Sequence, residues 1–139
     1  MVTGAHEARA RTGETEKITI NLGYVDLGQI DLLVNQGFYS NRTDFIRTAI
    51  RNQIERHADA VKRSVDREHL DLGLCHYGRA DLEAAQAAGR MLQIRVLGLC
   101  SIGRDVTPEL ARATIASVSV LGALHASPDV KAALADRMR

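Results

Sequence analysis

Cys75 and His76 are neighbours in the chain. A thiol beside an imidazole is the raw material of nucleophilic catalysis and of metal ligation. Ser101 and Ser127 are further candidate nucleophiles, with carboxylates scattered on helical faces. Catalysis needs a nucleophile, a base and an orienting group that converge. Neighbours on a strand point to opposite faces, so Cys75 and His76 do not form a dyad. Metal ligation is no better served. His69 and His76 are seven apart, Cys100 comes 24 residues later, and His125 stands alone. No His-x-His pair occurs, and neither Cys75 nor Cys100 has a Cys or His at zinc-finger spacing. Two buried thiols in a reducing compartment is the simpler reading. No phosphate-cradling GxxxxGK[ST] or GxGxxG string is present. The expectation is a protein that is not an enzyme, with no catalytic residue, no metal and no cofactor.

Composition narrows the class. The chain has 139 residues, enough for one ordinary domain or two small ones. With no Trp and 4% aromatics, the core must be Leu, Ile, Val and Ala. No apolar run approaches the ~20 residues that span a bilayer. The polar N-terminal stretch lacks the apolar region of a signal peptide, so no membrane partner and a cytoplasmic location are expected. Net charge is +1: residues 1–67 hold 10 Lys+Arg against 9 Asp+Glu, and residues 68–139 hold 8 against 8. A nucleic-acid surface would have to be a local patch rather than a property of the whole chain.

The elements follow from periodicity. Residues 1–15 lack a pattern and read as a flexible tail. Lys17 to Leu22 alternates strictly: Ile18, Ile20 and Leu22 on one side, Lys17, Thr19 and Asn21 on the other. That predicts a short strand with one buried face. From Asp26 to Gln36, Leu27, Ile30, Leu33 and Val34 share a helical stripe, and Gly37 is placed to stop it. Asn41 is a good N-cap for a second helix, with Asp44 three residues on. Phe45, Ile46, Ala49, Ile50 and Ile54 form its stripe; Ala58, Val61 and Val65 extend it, so it is expected to run on as a connector to about Arg63. A lone strand leaves its backbone groups unpaired and cannot bury its apolar face. The simplest partner is the same strand of a second copy, paired antiparallel across a two-fold axis. The alternative is an edge strand of a larger sheet.

The strand Lys17-Ile-Thr-Ile-Asn-Leu, the first helix, and the corner Gly37-Phe-Tyr-Ser-Asn-Arg-Thr-Asp-Phe-Ile-Arg47 together resemble the ribbon-helix-helix repressors of the CopG/Arc/MetJ type. The corner is the most specific part. The resemblance covers about residues 16–57. It implies a homodimer whose paired strands form a ribbon that enters the major groove of double-stranded DNA. By that resemblance Lys17, Thr19 and Asn21 contact bases. Lys17 would donate to guanine O6 and N7, Asn21 would pair with adenine N6 and N7, and Thr19 would meet either a polar edge or a thymine methyl. The resemblance aims the start of the second helix at the DNA backbone, making Ser40, Asn41, Arg42 and Thr43 phosphate contacts. For Asn41, helix capping alone is a sufficient reason. A front end of this kind on a chain of this length is also similar to the nickel-responsive ribbon-helix-helix repressors. Their tight cluster of His and Cys has no counterpart here.

The second half carries a repeat. Leu72-Gly-Leu-Cys-His-Tyr-Gly-Arg79 recurs as Leu97-Gly-Leu-Cys-Ser-Ile-Gly-Arg104, a shift of 25, and more loosely at Leu121-Gly-Ala-Leu-His-Ala-Ser-Pro128, a shift of 24. Each copy precedes a helical stretch opened by Asp81, Thr107-Pro108 or Ser127-Pro128. Each unit therefore reads as an apolar strand, a glycine, a turn and a short helix. Central strands are expected near Ile94–Leu97 and Val118–Leu121, with Gly73, Gly98 and Gly122 stacked.

The fold class expected is α+β. Residues 16–67 form a ribbon-helix-helix domain with a connector helix. Residues 68–139 form a strand-turn-helix repeat, either a small parallel β-solenoid or a compact α+β domain. The function expected is sequence-specific transcriptional regulation, as a repressor, by a homodimer or a higher oligomer joined through the C-terminal half. The alternative is a plasmid partition, relaxosome accessory or antitoxin-like protein whose C-terminal half holds a protein partner.

Overall fold

A computed structural model describes residues 15–139. All but the last residue of the expected N-terminal tail lies outside them. The described residues divide into two compact units, the first ending at Ala60 and the second spanning Val61–Arg139.

In the first unit, residues 15–23 carry no strand or helix in the single chain. The strand expected at Lys17–Leu22 has no partner to pair with there, and strand hydrogen bonds cannot form without one. Helix α1 spans Tyr24–Asn35, starting two residues earlier than its apolar stripe suggests. Its end is a Schellman motif: Gly37 N–H donates to the Val34 carbonyl and Phe38 N–H to the Leu33 carbonyl, both at 3.0 Å. Gly37 sits at φ +86°, a conformation open to glycine at little steric cost. Helix α2 spans Arg42–Arg56. The helical course breaks for one residue at His57 and resumes as α3, Ala58–Glu68, which from Val61 on belongs to the second unit. The connector is thus longer than its stripe suggested and has a joint. His57 is the C-cap of α2, with φ −103° and ψ 15°, outside the helical well.

The second unit alternates strands and helices: β1 Asp71–Tyr77, α4 Arg79–Ala87, β2 Leu92–Ile102, α5 Pro108–Thr114, β3 Ile115–His125, α6 Pro128–Ala133, and a 3-10 turn Ala135–Arg137. The three strands form one parallel sheet in the order β1-β2-β3. The two later helices begin as their sequences dictate. Thr107 Oγ1 accepts from Leu110 N–H at 3.1 Å and Ser127 Oγ from Val130 N–H at 3.3 Å, each followed by Pro at the first turn. At α4 the Asp81 carboxylate accepts from Gly78 N–H at 2.8 Å.

Register places Gly73 beside Gly98 and Gly98 beside Gly122. The glycines do not end the strands, as a strand-glycine-turn unit would have it; the strands run through them. All three lie at positive φ, +121°, +140° and +125°. A Cβ on Gly98 would stand 2.1 Å from the Gly73 carbonyl oxygen, and one on Gly122 would stand 2.1 Å from that of Gly98. Glycine is therefore needed to let neighbouring backbones approach, which is what the 25-residue repeat encodes.

The core lies between one face of the sheet and the helices. Ile94, Val96, Cys100 and Ile102 of β2 meet Ile115 and Val118 of β3, Leu82 of α4, Ala111 of α5, Val130 of α6 and Leu134. Burial pushes the Cys100 thiol up to about 11. It stays protonated over the ordinary pH range, and its place in the core is apolar packing. Thr114, fully buried, donates its hydroxyl to the Leu110 carbonyl at 2.7 Å. The C-terminal end lies along β3, with Arg139 N–H donating to the Val118 carbonyl at 2.8 Å.

Candidate nucleic-acid interface

The helix-helix corner is built from short-range signals. Asn41 Oδ1 accepts from Asp44 N–H at 2.8 Å, and Asp44 Oδ2 accepts in return from Ser40 N–H at 2.9 Å. The reciprocal pair fixes how the chain enters α2. Tyr39 and Phe45 meet edge to face, ring centroids 5.0 Å apart, clamping the connection onto the helix behind it. Phe45 N–H takes the Asn41 carbonyl. Among the described residues, the amides of Arg42 and Thr43 then have no acceptor, and they sit at the positive end of a 15-residue helix.

Arg42 is placed differently from a free phosphate ligand. Its Nε and Nη2 donate to the two carboxylate oxygens of Asp31, both at 2.8 Å. This fork braces α2 against α1. The hydrogen bonds from Arg42 hold the Asp31 carboxyl below its ordinary value, and those to Asp31 raise the Arg42 guanidinium. The pair is solvent-exposed, so it is weakly held and open to exchange with another anion. Asp31 has no signal in the sequence. It is eleven residues from Arg42 and on another helix, where only the tertiary arrangement can pair them.

Lys17, Thr19 and Asn21 are exposed, as are Ser40, Asn41, Arg42 and Thr43. So are the residues between the first three: Ile18 is 79% exposed and Ile20 59%. Of the described residues in this unit, only Ile30 is buried. An apolar stripe of Ile18, Ile20 and Leu22 left in water, alternating with the exposed polar Lys17, Thr19 and Asn21, is a surface that is incomplete in one chain.

His76, the imidazole of the Cys75–His76 pair, takes Ser101 as its partner instead, with Nδ1 2.7 Å from Oγ. Cys75 packs towards the core. The two side chains point to opposite faces. No group of three or more His, Cys, Asp or Glu placed to hold a metal occurs among the described residues. No described helix is long and apolar enough to cross a membrane.

A corner of this kind between two short helices, after an alternating segment with an exposed apolar side, defines a class of DNA-binding regulators. The profile of the Ribbon-Helix-Helix transcriptional regulator family matches residues 13–131, and the chain belongs to that family. It is accordingly a DNA-binding transcriptional regulator, of a class that is typically non-enzymatic. The match runs through both units, so the C-terminal sheet lies within the family's span as well. No match was found among curated proteins or among solved structures.

Proposed function

We propose that the protein is a cytoplasmic, homodimeric repressor that reads a specific operator with a two-stranded ribbon in the major groove. The observation that carries this is the exposed alternation of Lys17–Leu22 on a chain of this family. Pairing with the same segment of a second copy would satisfy the backbone of both and bury Ile18, Ile20 and Leu22 against the helices. Lys17, Thr19 and Asn21 would then project outward twice over, one set from each copy, and contact base edges. Ser40, Asn41, Arg42 and Thr43 would set the register on the phosphates. The unused amides of Arg42 and Thr43 are the best-placed donors, and Asn41 works mainly as the cap. The C-terminal half (residues 68–139) would extend self-association beyond the ribbon, and the 16–67 segment would carry the DNA contacts.

Selection of bound fragments from random DNA supplies the operator. Asn21→Ala should then cost about 1–3 kcal/mol on that operator and little on random DNA, because a bidentate base contact is lost while phosphate contacts stay. A competition gel shift measures both. Equal losses on the two DNAs would retire base reading by Asn21.

A further inference from the structure

The sheet of the second unit is parallel throughout, and its helices share a core with one face. Purely parallel sheets occur almost only with both faces covered. The second face presents two apolar rows in register: Leu72, Leu97 and Leu121, then Leu74, Leu99 and Ala123. Leu72 is 72% exposed, Leu74 62% and Leu121 55%. The rows end on polar rims, Arg95 with Ser119 on one side and His76, Ser101 and His125 on the other. No carboxylate occupies an outward strand position. An apolar centre inside a polar rim is the anatomy of an interface.

We infer that this face is closed by the same face of a second copy of the chain, delivered to it by ribbon pairing. The inference rests on the self-associating reading proposed above. Size selects the occupant. Five outward positions along β2 span about 27 Å and three strands about 14 Å. Two such faces together therefore bury about 800 Å². A free-standing stable complex needs roughly 1,200–2,000 Å². A separate protein arriving by diffusion would not hold on this face. A copy already tied through the ribbon needs no larger area, provided the link lets the two faces meet, since a short tether that spans its sites supplies an effective concentration on the order of millimolar. The pattern suits a copy too. Apolar residues flank β2 on both sides, so a two-fold axis along β2 sets Leu97 and Leu99 on their counterparts, Leu72 on Leu121 and Leu74 on Ala123 of the second copy. The outward strand positions themselves carry no carboxylate, and at the Arg95–Ser119 rim Glu68 lies beside Arg95, so the rim holds both signs of charge, which suits a second copy of itself.

The test is trapping in the full-length chain. Leu97→Cys places a thiol at the centre of the face, and a bismaleimide of about 8 Å reach suits sheets stacked about 10 Å apart. A two-chain covalent product in most of the material is expected. The wild-type chain, with Cys100 buried and Cys75 on the helix side, should give little. Adding Leu72→Lys and Leu121→Lys, both at exposed positions, should cut the yield at least tenfold with an unchanged circular dichroism spectrum. Ile20→Lys should cut it similarly at low micromolar protein, because the tether is gone. A yield no higher than wild type, or one indifferent to the lysine pair or to Ile20→Lys, would overturn the inference. Gel shifts score the other reading separately. If DNA binding survives Ile20→Lys, the ribbon reading has failed; if trapping fails while the wild type still binds DNA, the face has.

Discussion

Arg42 has two possible employments, and its geometry shows how they compete. In the free chain its fork is filled by Asp31 at 2.8 Å through both oxygens. A phosphate offers the same bidentate geometry with more charge. The Asp31 carboxyl lies below its ordinary value, so by linkage the brace is present above the usual carboxylate range and is lost only as pH falls through that depressed value. It is therefore intact at neutral pH. If Arg42 leaves Asp31 for phosphate, Arg42→Ala should lower the slope of log affinity against log salt by about one, equally on operator and random DNA. Asp31→Asn should tighten binding to both DNAs, since it frees the fork and removes a repelling charge. Salt titrations of the two variants decide the matter. An unchanged slope in Arg42→Ala would mean that Arg42 only joins the helices.

At the scale of elements, the glycine column is the sharpest test of how the sheet is built. Gly73 and Gly98 share a strongly positive φ, yet their surroundings differ. A Cβ on Gly73 meets nothing within 4 Å, whereas one on Gly98 collides with backbone. Gly73→Ala should cost the conformational strain alone, roughly 1–3 kcal/mol. Gly98→Ala should cost clearly more, because a carbonyl in a hydrogen-bonded strand cannot swing aside. Urea denaturation of the pair measures the difference; equal costs would mean that the close approach is not maintained in solution. The repeat that makes this column was legible because Leu-Gly-Leu-Cys recurs whole at 25 residues. The strand limits were not. Leu97-Gly98-Leu99 breaks the simple alternation of Ile94 and Val96, and the continuation to Ile102 rests on pairing with β1 and β3. The helix-helix corner was legible down to the Asn41 cap, since caps are local. The Asp31 brace and the joint at His57 were not, since tertiary arrangement and a one-residue change of φ and ψ leave no periodic trace.

At the scale of the whole molecule, the two units differ in how much of their own stability they contain. The second has a continuous core from Leu82 to Leu134. The first leaves Ile18, Ile20, Phe38, Ile50 and Ile54 all more than half exposed. Its helices α1 and α2 are 12 and 15 residues long, and helices of that length are marginal in water without a packed face. If ribbon pairing supplies that packing, folding of the first unit is linked to association, and its stability must depend on concentration. A hundredfold rise in protein should stabilise it by up to about 2.7 kcal/mol, a shift of several degrees in its melting midpoint. The core of the second unit should report a midpoint much less sensitive to concentration. Circular dichroism melts at low and high micromolar protein resolve the two, and Ile20→Lys should abolish the dependence while leaving the sheet intact. A first unit that melts at the same temperature across that range would be folded without a partner, and the exposed stripe would then need another explanation.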